Sequence, residues 1–514
     1  MNILSEIRSR FEVALAKYCD NPVSYLSMVK PSSNPQFGDF QANFAMSLAG
    51  KQSEKINPRD LAARIAEEVN LSDICNLPQV AGPGFINLTL RDDWLISITN
   101  SLVSDDRLGV KVTSHPCNIV VDYSAPNVAK PMHVGHLRSS VIGDALYHIL
   151  SFLGHQVTGD NHIGDWGTQF GMIIFGYKHF LDKAAFEENN VNELSRLYKL
   201  VNQLSDYHKQ KAAIPQRAQV LDMKRDELAL LEESPDAEKK GTRKKIGKLK
   251  AEIGDLKKEL QSTEEKIVEI NNDSFLKPLV DAHPHIAKEA RLETSKLHAG
   301  DTENLKLWNQ FLPPCLDAIN AMYAKLGITF DMALGESFYQ PMLENVVNDL
   351  TSKRLATKSE GATCVFQEGN KAPFIVRKSD GAFTYATTDL ATIQYRVDEL
   401  QAKRILYVVD ARQGEHFQLL FDTAVRWGYS NTEYRHVSFG TILGDDKRPF
   451  KTRSGDTVGL ESLLNESITR ARKIIDENDD AKLNGAELDD TRRAEIAEIV
   501  GIGGIKYADL HHNR

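Results

Sequence analysis

Asn118-Ile119-Val120-Val121-Asp122-Tyr123-Ser124-Ala125-Pro126-Asn127-Val128-Ala129-Lys130-Pro131-Met132-His133-Val134-Gly135-His136 is the stretch on which the fold turns. Ile119-Val120-Val121 is a continuous apolar run of the kind shown by strands buried on both faces. After a polar loop, Val141, Ile142, Ala145, Leu146, Ile149 and Leu150 recur at helical spacing and predict a helix with one apolar face. Gly154 offers a stop before a second strand near Val157. Strand, helix and strand in that order predict a βαβ unit. Phe374-Ile375-Val376, Ile405 to Val409 and Val437-Ser438-Phe439 are further strand candidates separated by helical stretches. The expected class is therefore α/β, a Rossmann-like doubly wound parallel sheet.

Within that unit, His133-Val134-Gly135-His136 falls where the loop meets the helix. Two imidazoles at a helix N-terminus can donate hydrogen bonds to phosphate oxygens, and Gly135 lets a nucleotide approach the backbone. A histidine pair is also compatible with a structural or metal-binding role, but no carboxylate or thiolate ligand set accompanies it, and no metal site is expected.

Working outward, residues 1–110 read as a small α+β unit, with amphipathic helices around Ile3 to Ala16 and Pro58 to Val69. Gly-rich stretches lie at Asn34 to Asn43 and Ala81 to Leu88, and Arg107 to Pro116 has the irregularity of a linker. Residues 111–455 form the expected Rossmann-like domain, interrupted at about 203–272 by a polar segment. There Ile246, Leu249, Ile253, Leu256, Leu260, Ile267 and Ile270 keep heptad spacing, which predicts a coiled-coil arm of two antiparallel helices. Its tip carries the basic run Lys239 to Lys245, a solvated turn or a contact to RNA or a partner. Residues 456–514 read as helical.

With 514 residues the chain is too long for one core. A 41% hydrophobic, 26% charged composition excludes a disordered or fibrous class, and no apolar run is long enough to span a membrane. The start lacks the apolar core of a secretory signal, so a cytoplasmic address is expected. Five scattered cysteines fit neither a disulfide framework nor a zinc site. A net charge of −9 argues against non-specific coating of nucleic acid.

The string from Val121 to Ser139 resembles the signature of the class I arginyl-tRNA synthetases. The likeness continues through Gly164-Asp165-Trp166-Gly167-Thr168-Gln169-Phe170-Gly171, Glu336-Ser337-Phe338-Tyr339, Tyr385-Ala386-Thr387-Thr388-Asp389 and Asp410 to His416. The first 110 residues resemble that family's N-terminal additional domain, which in relatives contacts the tRNA elbow. The resemblance implies an arginine–tRNA ligase with ATP, Mg²⁺ as its phosphate complex, L-arginine and tRNA(Arg) as partners, acting as a monomer. It implies arginyl-adenylate formation and transfer to the terminal 2′-OH, with tRNA needed before activation.

Residue by residue, the resemblance puts Asp122 and Asp389 on the substrate guanidinium, for which bidentate carboxylates are the natural readers. Tyr385 lies beside it, Asn127 holds the α-amino or carboxylate end, and Gln413 completes the pocket. Taken singly, Asp389 also suits a cap for a helix from Leu390, and Tyr385 a half-buried strand position. His133, Gly135, His136 and His416 fall to ATP. The family's second lysine-rich loop is replaced near Pro449 to Gly455, with Arg453 where a lysine is usual. Phosphate stabilisation is therefore expected from Lys130 first, and from Lys451 and Arg453 second. Near Ile499 to Leu510 the chain resembles the junction into a helical anticodon-binding domain and ends at Arg514, so a synthetase body lacking that domain is expected. Two alternatives are a nucleotidyltransferase that does not aminoacylate, and a truncated tRNA-binding derivative with weak activity. The first explains neither the N-terminal unit nor the guanidinium-reading acids.

Overall fold

The apolar run at the centre of the signature becomes the strand Asn118–Asp122. In the computed structural model it lies inside a four-stranded, all-parallel sheet whose spatial order is Glu433–Phe439, Arg404–Asp410, Asn118–Asp122, Gln156–Asp160. The structure describes residues 2–52, 55–128, 130–235, 239–367, 369, 372–441, 459–483 and 485–512. From Asn118–Asp122 the chain crosses to one side for Gln156–Asp160, and much later returns on the other side for Arg404–Asp410. The crevice between the carboxyl ends of Asn118–Asp122 and Arg404–Asp410 is thus the switch point at which such sheets bind ligands.

The crossover helix is Val134–Phe152, and its first half is the buried half, from Val134 to Asp144. Gly143 is there for space, since a Cβ would overlap the Tyr123 side chain that follows the strand. The expected apolar face does not continue to its end, because Ile149 is 55% exposed. A second difference concerns Phe374–Arg377. It is a strand, but it belongs to a separate antiparallel sheet with Ala356–Ser359 and Ala362–Val365 rather than to the parallel one.

The polar segment forms two long helices, Asn190–Glu232 and Lys240–Asn272, the first beginning well before Gln203. Leu194, Leu197, Leu200, Val201 and Leu204 at its start are buried in the body, which is why that part shows no heptad repeat. Farther out, Arg217 pairs with Glu259, Lys224 with Glu252, and Glu232 with Lys250. Partner numbers run in opposite directions, so the helices are antiparallel.

The chain divides into two compact units, residues 1–115 with 152–154, and residues 116–151 with 155–514. The first has an antiparallel sheet ordered Val29–Pro31, Phe40–Ala42, Phe85–Leu88, Gln79–Ala81. Helices Ile3–Leu15 and Pro58–Glu68 cover it through Ile7, Phe11, Leu61 and Ile65, all fully buried. Among the described residues no helix is long and apolar enough to cross a membrane.

Candidate active site

The loop leaving Asn118–Asp122 is held in a conformation that side chains resist. Ser124 and Ala125, neither a glycine, both have positive φ, 72° and 46°. Each costs about 1–3 kcal/mol and persists only where its surroundings fix it. A buried polar network does so. Ser139 Oγ accepts from the Ser124 N–H at 2.8 Å and donates to the Val408 carbonyl at 2.6 Å. Ser140 Oγ donates to Ser124 Oγ at 2.8 Å, and Ser124 Oγ lies 2.7 Å from the Tyr323 hydroxyl. Asn161 spans the turn, with Nδ2 on Tyr323 at 3.0 Å and Oδ1 accepting from Ala125 N–H at 3.1 Å. The loop then pairs with the Gly164 segment, the Val128 N–H reaching the Gly164 carbonyl at 3.0 Å, and this positions Asn127.

His133 and His136 stack with ring centroids 3.9 Å apart. His136 Nδ1 lies 3.0 Å from the His133 backbone N–H, and His133 Nδ1 lies 3.1 Å from that of Gly135. With each Nδ1 an acceptor, the neutral ring carries its proton on Nε2, leaving an Nε2–H donor on both. Burial, the neighbouring His133 ring and Lys130 pull the His136 pKa down to about 3; burial and Lys130 also lower that of His133. Both are therefore neutral donors at pH 7. Gly135 serves the ring next to it, since a Cβ would come within 2.9 Å of His133 Cε1. Lys130 Nζ sits 5.1 Å from the Tyr198 ring centroid, and its charge is close enough to depress both histidines.

Asp122 requires a larger correction. Its Oδ2 accepts from Arg396 Nη2 at 2.6 Å, and the same nitrogen reaches Asp160 Oδ2 at 2.7 Å. Arg396 is fully buried, Asp122 is 5% exposed and Asp160 fully buried. The protein's own guanidinium already occupies the carboxylate expected to read a substrate's.

A different carboxylate faces Asp389. Tyr385, which is 67% exposed, opens the helix Tyr385–Asp398 rather than sitting in a strand, and Asp389 lies one turn inside, not at a cap. Glu336 begins the short helix Glu336–Tyr339. Burial, then the like charges of Asp165 and Asp389, push its carboxyl up to about 7, against a hydrogen bond from the Trp166 backbone. The Tyr385 hydroxyl is raised by burial and by the charges of Glu336 and Asp389, so the three share one pocket. Asp165 positions Glu336 by accepting from Ser337 N–H at 2.9 Å and Ser337 Oγ at 2.5 Å. Sequence reading matched the Glu336 block but gave it no role.

His416, expected at ATP, instead has Nε2 2.6 Å from Asp389 Oδ2. Burial lowers the pKa of this imidazole, but the Asp389 hydrogen bond and charge outweigh that, and the net shift is upward. Gln413 is exposed at the end of Arg404–Asp410, at the switch point. Lys451 and Arg453 lie outside the described residues.

Comparison with known proteins places the chain in a family. The family described as tRNA synthetases class I (R), catalytic domain, matches residues 97–227 and 228–514, and the arginyl tRNA synthetase N terminal domain matches residues 5–90. The arginine–tRNA ligase of Rhodopirellula baltica is 46% identical over 524 residues, covering 100% of this chain and 78% of that protein. That of Thermobifida fusca is 40% identical, covering 94% and 70%. Among solved structures, arginyl-tRNA synthetase from Plasmodium falciparum aligns with a TM-score of 0.64 at 25% identity, covering 100% of this chain and 75% of that one. The Thermus thermophilus arginyl-tRNA synthetase aligns at 0.60 and 18% identity over 99% and 75%, a likeness of fold.

Proposed function

The chain belongs to the arginyl-tRNA synthetase family, and from that membership we propose how its pocket selects arginine: Glu336 and Asp389, with Tyr385 beside them, receive the substrate guanidinium. It is a class I arginine–tRNA ligase and uses ATP. The arginine carboxylate attacks the α-phosphorus of ATP, the bond to the bridging oxygen breaks, and pyrophosphate leaves. In our reading the 2′-OH of the terminal adenosine of tRNA(Arg) then attacks the adenylate carbonyl and AMP departs, giving arginyl-tRNA.

The arrangement that carries the guanidinium assignment is the gathering of Glu336, Asp389 and Tyr385 in one pocket, where burial and the like charges of Asp165 and Asp389 push the Glu336 carboxyl up to about 7. A bound cation relieves that repulsion and takes up both carboxylates through paired charged hydrogen bonds. Lysine and citrulline leave part of this arrangement unmatched and are rejected. Asn127 and Gln413 hold the α-amino and carboxylate end. The Nε2–H groups of His133 and His136 donate to phosphate oxygens, with Lys130 as the adjacent cation, and Lys451 and Arg453 as further phosphate contacts. Mg²⁺ enters as part of the ATP complex, where it neutralises phosphate charge. Among the described residues no group of three His, Cys, Asp or Glu side chains could hold it as a resident ion. A cytoplasmic setting, in which the five free cysteines stay reduced, is part of this reading.

Exchange of labelled pyrophosphate into ATP tests the reading. It should require arginine and tRNA(Arg), and lysine or citrulline at equal concentration should support less than about 1% of the rate, a loss on the scale of unmatched buried charges. Exchange that proceeds equally with lysine would overturn it.

A further inference from the structure

The two C-terminal helices, Leu460–Asp480 and Asp490–His511, grip the signature segment at both ends. At one end the Leu460 N–H reaches the Met132 carbonyl at 2.9 Å, and Gly459 bridges to His133. At the other, Arg138, two residues beyond His136, places Nε 2.9 Å from Asp509 Oδ1 near the end of the last helix. Arg138 Nη1 also donates to the Gly440 carbonyl at 2.7 Å, just past the strand Glu433–Phe439. Its guanidinium carbon lies 5.6 Å from the Phe439 ring centroid. Beside it Lys506 Nζ donates to the Leu326 carbonyl at 2.9 Å and lies 3.7 Å from Asp144 Oδ2. The helices are locked to each other, with Ser467 Oγ on the Gly501 carbonyl at 2.8 Å and Gly501 so close that a Cβ would come within 2.8 Å of the Ile468 Cα.

Arg138 and Asp509 are 8% and 6% exposed. Among the described residues Arg138 Nε and Nη2 and Asp509 Oδ2 are buried without a hydrogen-bond partner, so the 2.9 Å approach of Nε to Oδ1 is an ion pair and not an aligned hydrogen bond. A buried ion pair with atoms left over contributes little to stability, and apolar side chains of similar size serve as well. Its consequence is geometric: one guanidinium fixes the relative register of the signature helix, the end of the outer strand and the last helix.

We propose that Asp509 is a positioning residue for adenylate formation, acting through Arg138 to set where His136 and the Gly440 carbonyl stand. The inference rests on the reading of His133 and His136 as phosphate donors. Movement of the last helix is then transmitted to the nucleotide site, while the guanidinium pocket, built on Glu336, Tyr385 and Asp389, is left out of the path.

The double variant R138M/D509L replaces the pair by apolar groups, and D509N and D509E test the carboxylate. The full chain is assayed with tRNA by pyrophosphate exchange for the KM for ATP and kcat, by calorimetry for arginine Kd, and by thermal melting. We expect R138M/D509L to melt within about 4 °C of the parent, as apolar replacement of a buried pair allows. Its kcat should fall, or its KM for ATP rise, by a combined factor of about 10–100, the scale of a small misplacement of donors. Arginine Kd should stay within about threefold, a difference under 1 kcal/mol. D509E should recover part of the loss and D509N little of it. The proposal is overturned if R138M/D509L keeps parental ATP kinetics, or if the kinetic loss comes with a proportional loss of melting temperature and arginine affinity. If instead H133A and H136A keep parental ATP kinetics, it is the phosphate-donor reading that fails, a result separable from the first.

Discussion

Arg396 shows how far a residue's role depends on what lies across the fold. It sits between Asp122 and Asp160 with no solvent access, and its pKa is driven well above its ordinary value by the two acids, against the cost of burial. Breaking a buried pair by removing one partner leaves uncompensated charge, so Arg396→Leu should destabilise the fold by about 3–5 kcal/mol. Urea unfolding measures this; a loss below about 1 kcal/mol would show that the two acids do not depend on it. Asp389 and Tyr385 could be named from the sequence as candidates because they lie four positions apart on one motif. The Asp122 partnership could not, because Arg396 is 274 residues away. Glu336 was hidden for the same reason: its charge acquires meaning only when Asp165 and Asp389 fold beside it.

At the level of elements, the signature helix depends on Gly143. Any side chain there meets Tyr123, whose hydroxyl is fixed 3.0 Å from the Thr329 carbonyl and whose ring packs 4.5 Å from that of Phe330. Gly143→Ala should therefore cost about 1–3 kcal/mol through overpacking, even though alanine favours helix. Thermal melting checks the sign: an unchanged or raised midpoint would mean that Tyr123 moves aside freely. The strands Asn118–Asp122 and Arg404–Asp410 were readable because burial on both faces writes itself as apolar runs, whereas Glu433–Phe439 is an edge strand in which only Val437 and Phe439 are buried. The strand Phe374–Arg377 was readable as a strand but not as to its sheet, since its pairing is decided by the hairpin of Ala356–Ser359 and Ala362–Val365. The arm was readable where its helices face each other, and unreadable where Leu194 to Leu204 pack on the body instead.

In the second unit as a whole, binding arginine and staying folded make opposite demands on Glu336. Its folded pKa of about 7 lies above the usual value of 4.5, so the folded protein holds the proton more tightly than the unfolded chain. The stability this contributes is full below pH 4.5 and is lost as pH rises towards 7. Glu336→Gln, neutral at every pH, should accordingly raise the melting temperature at pH 8 while weakening arginine binding, a stability gain at the expense of function. Melting curves at pH 5 and pH 8 should show the variant's advantage only at the higher pH.

The central claim is that a strained pair of carboxylates, Glu336 with Asp389, selects arginine by its charge. Calorimetric titration of arginine into the tRNA-bound protein from pH 6 to pH 8, for the parent and Glu336→Gln, tests it most directly. Because the guanidinium needs Glu336 ionised, parental affinity should weaken towards tenfold per pH unit below about 7. The variant should bind about 100-fold more weakly, the cost of a lost charged hydrogen-bond pair, with no such pH dependence. Parental affinity that is equal at pH 6 and pH 8, or a variant that binds arginine as the parent does, would contradict the account.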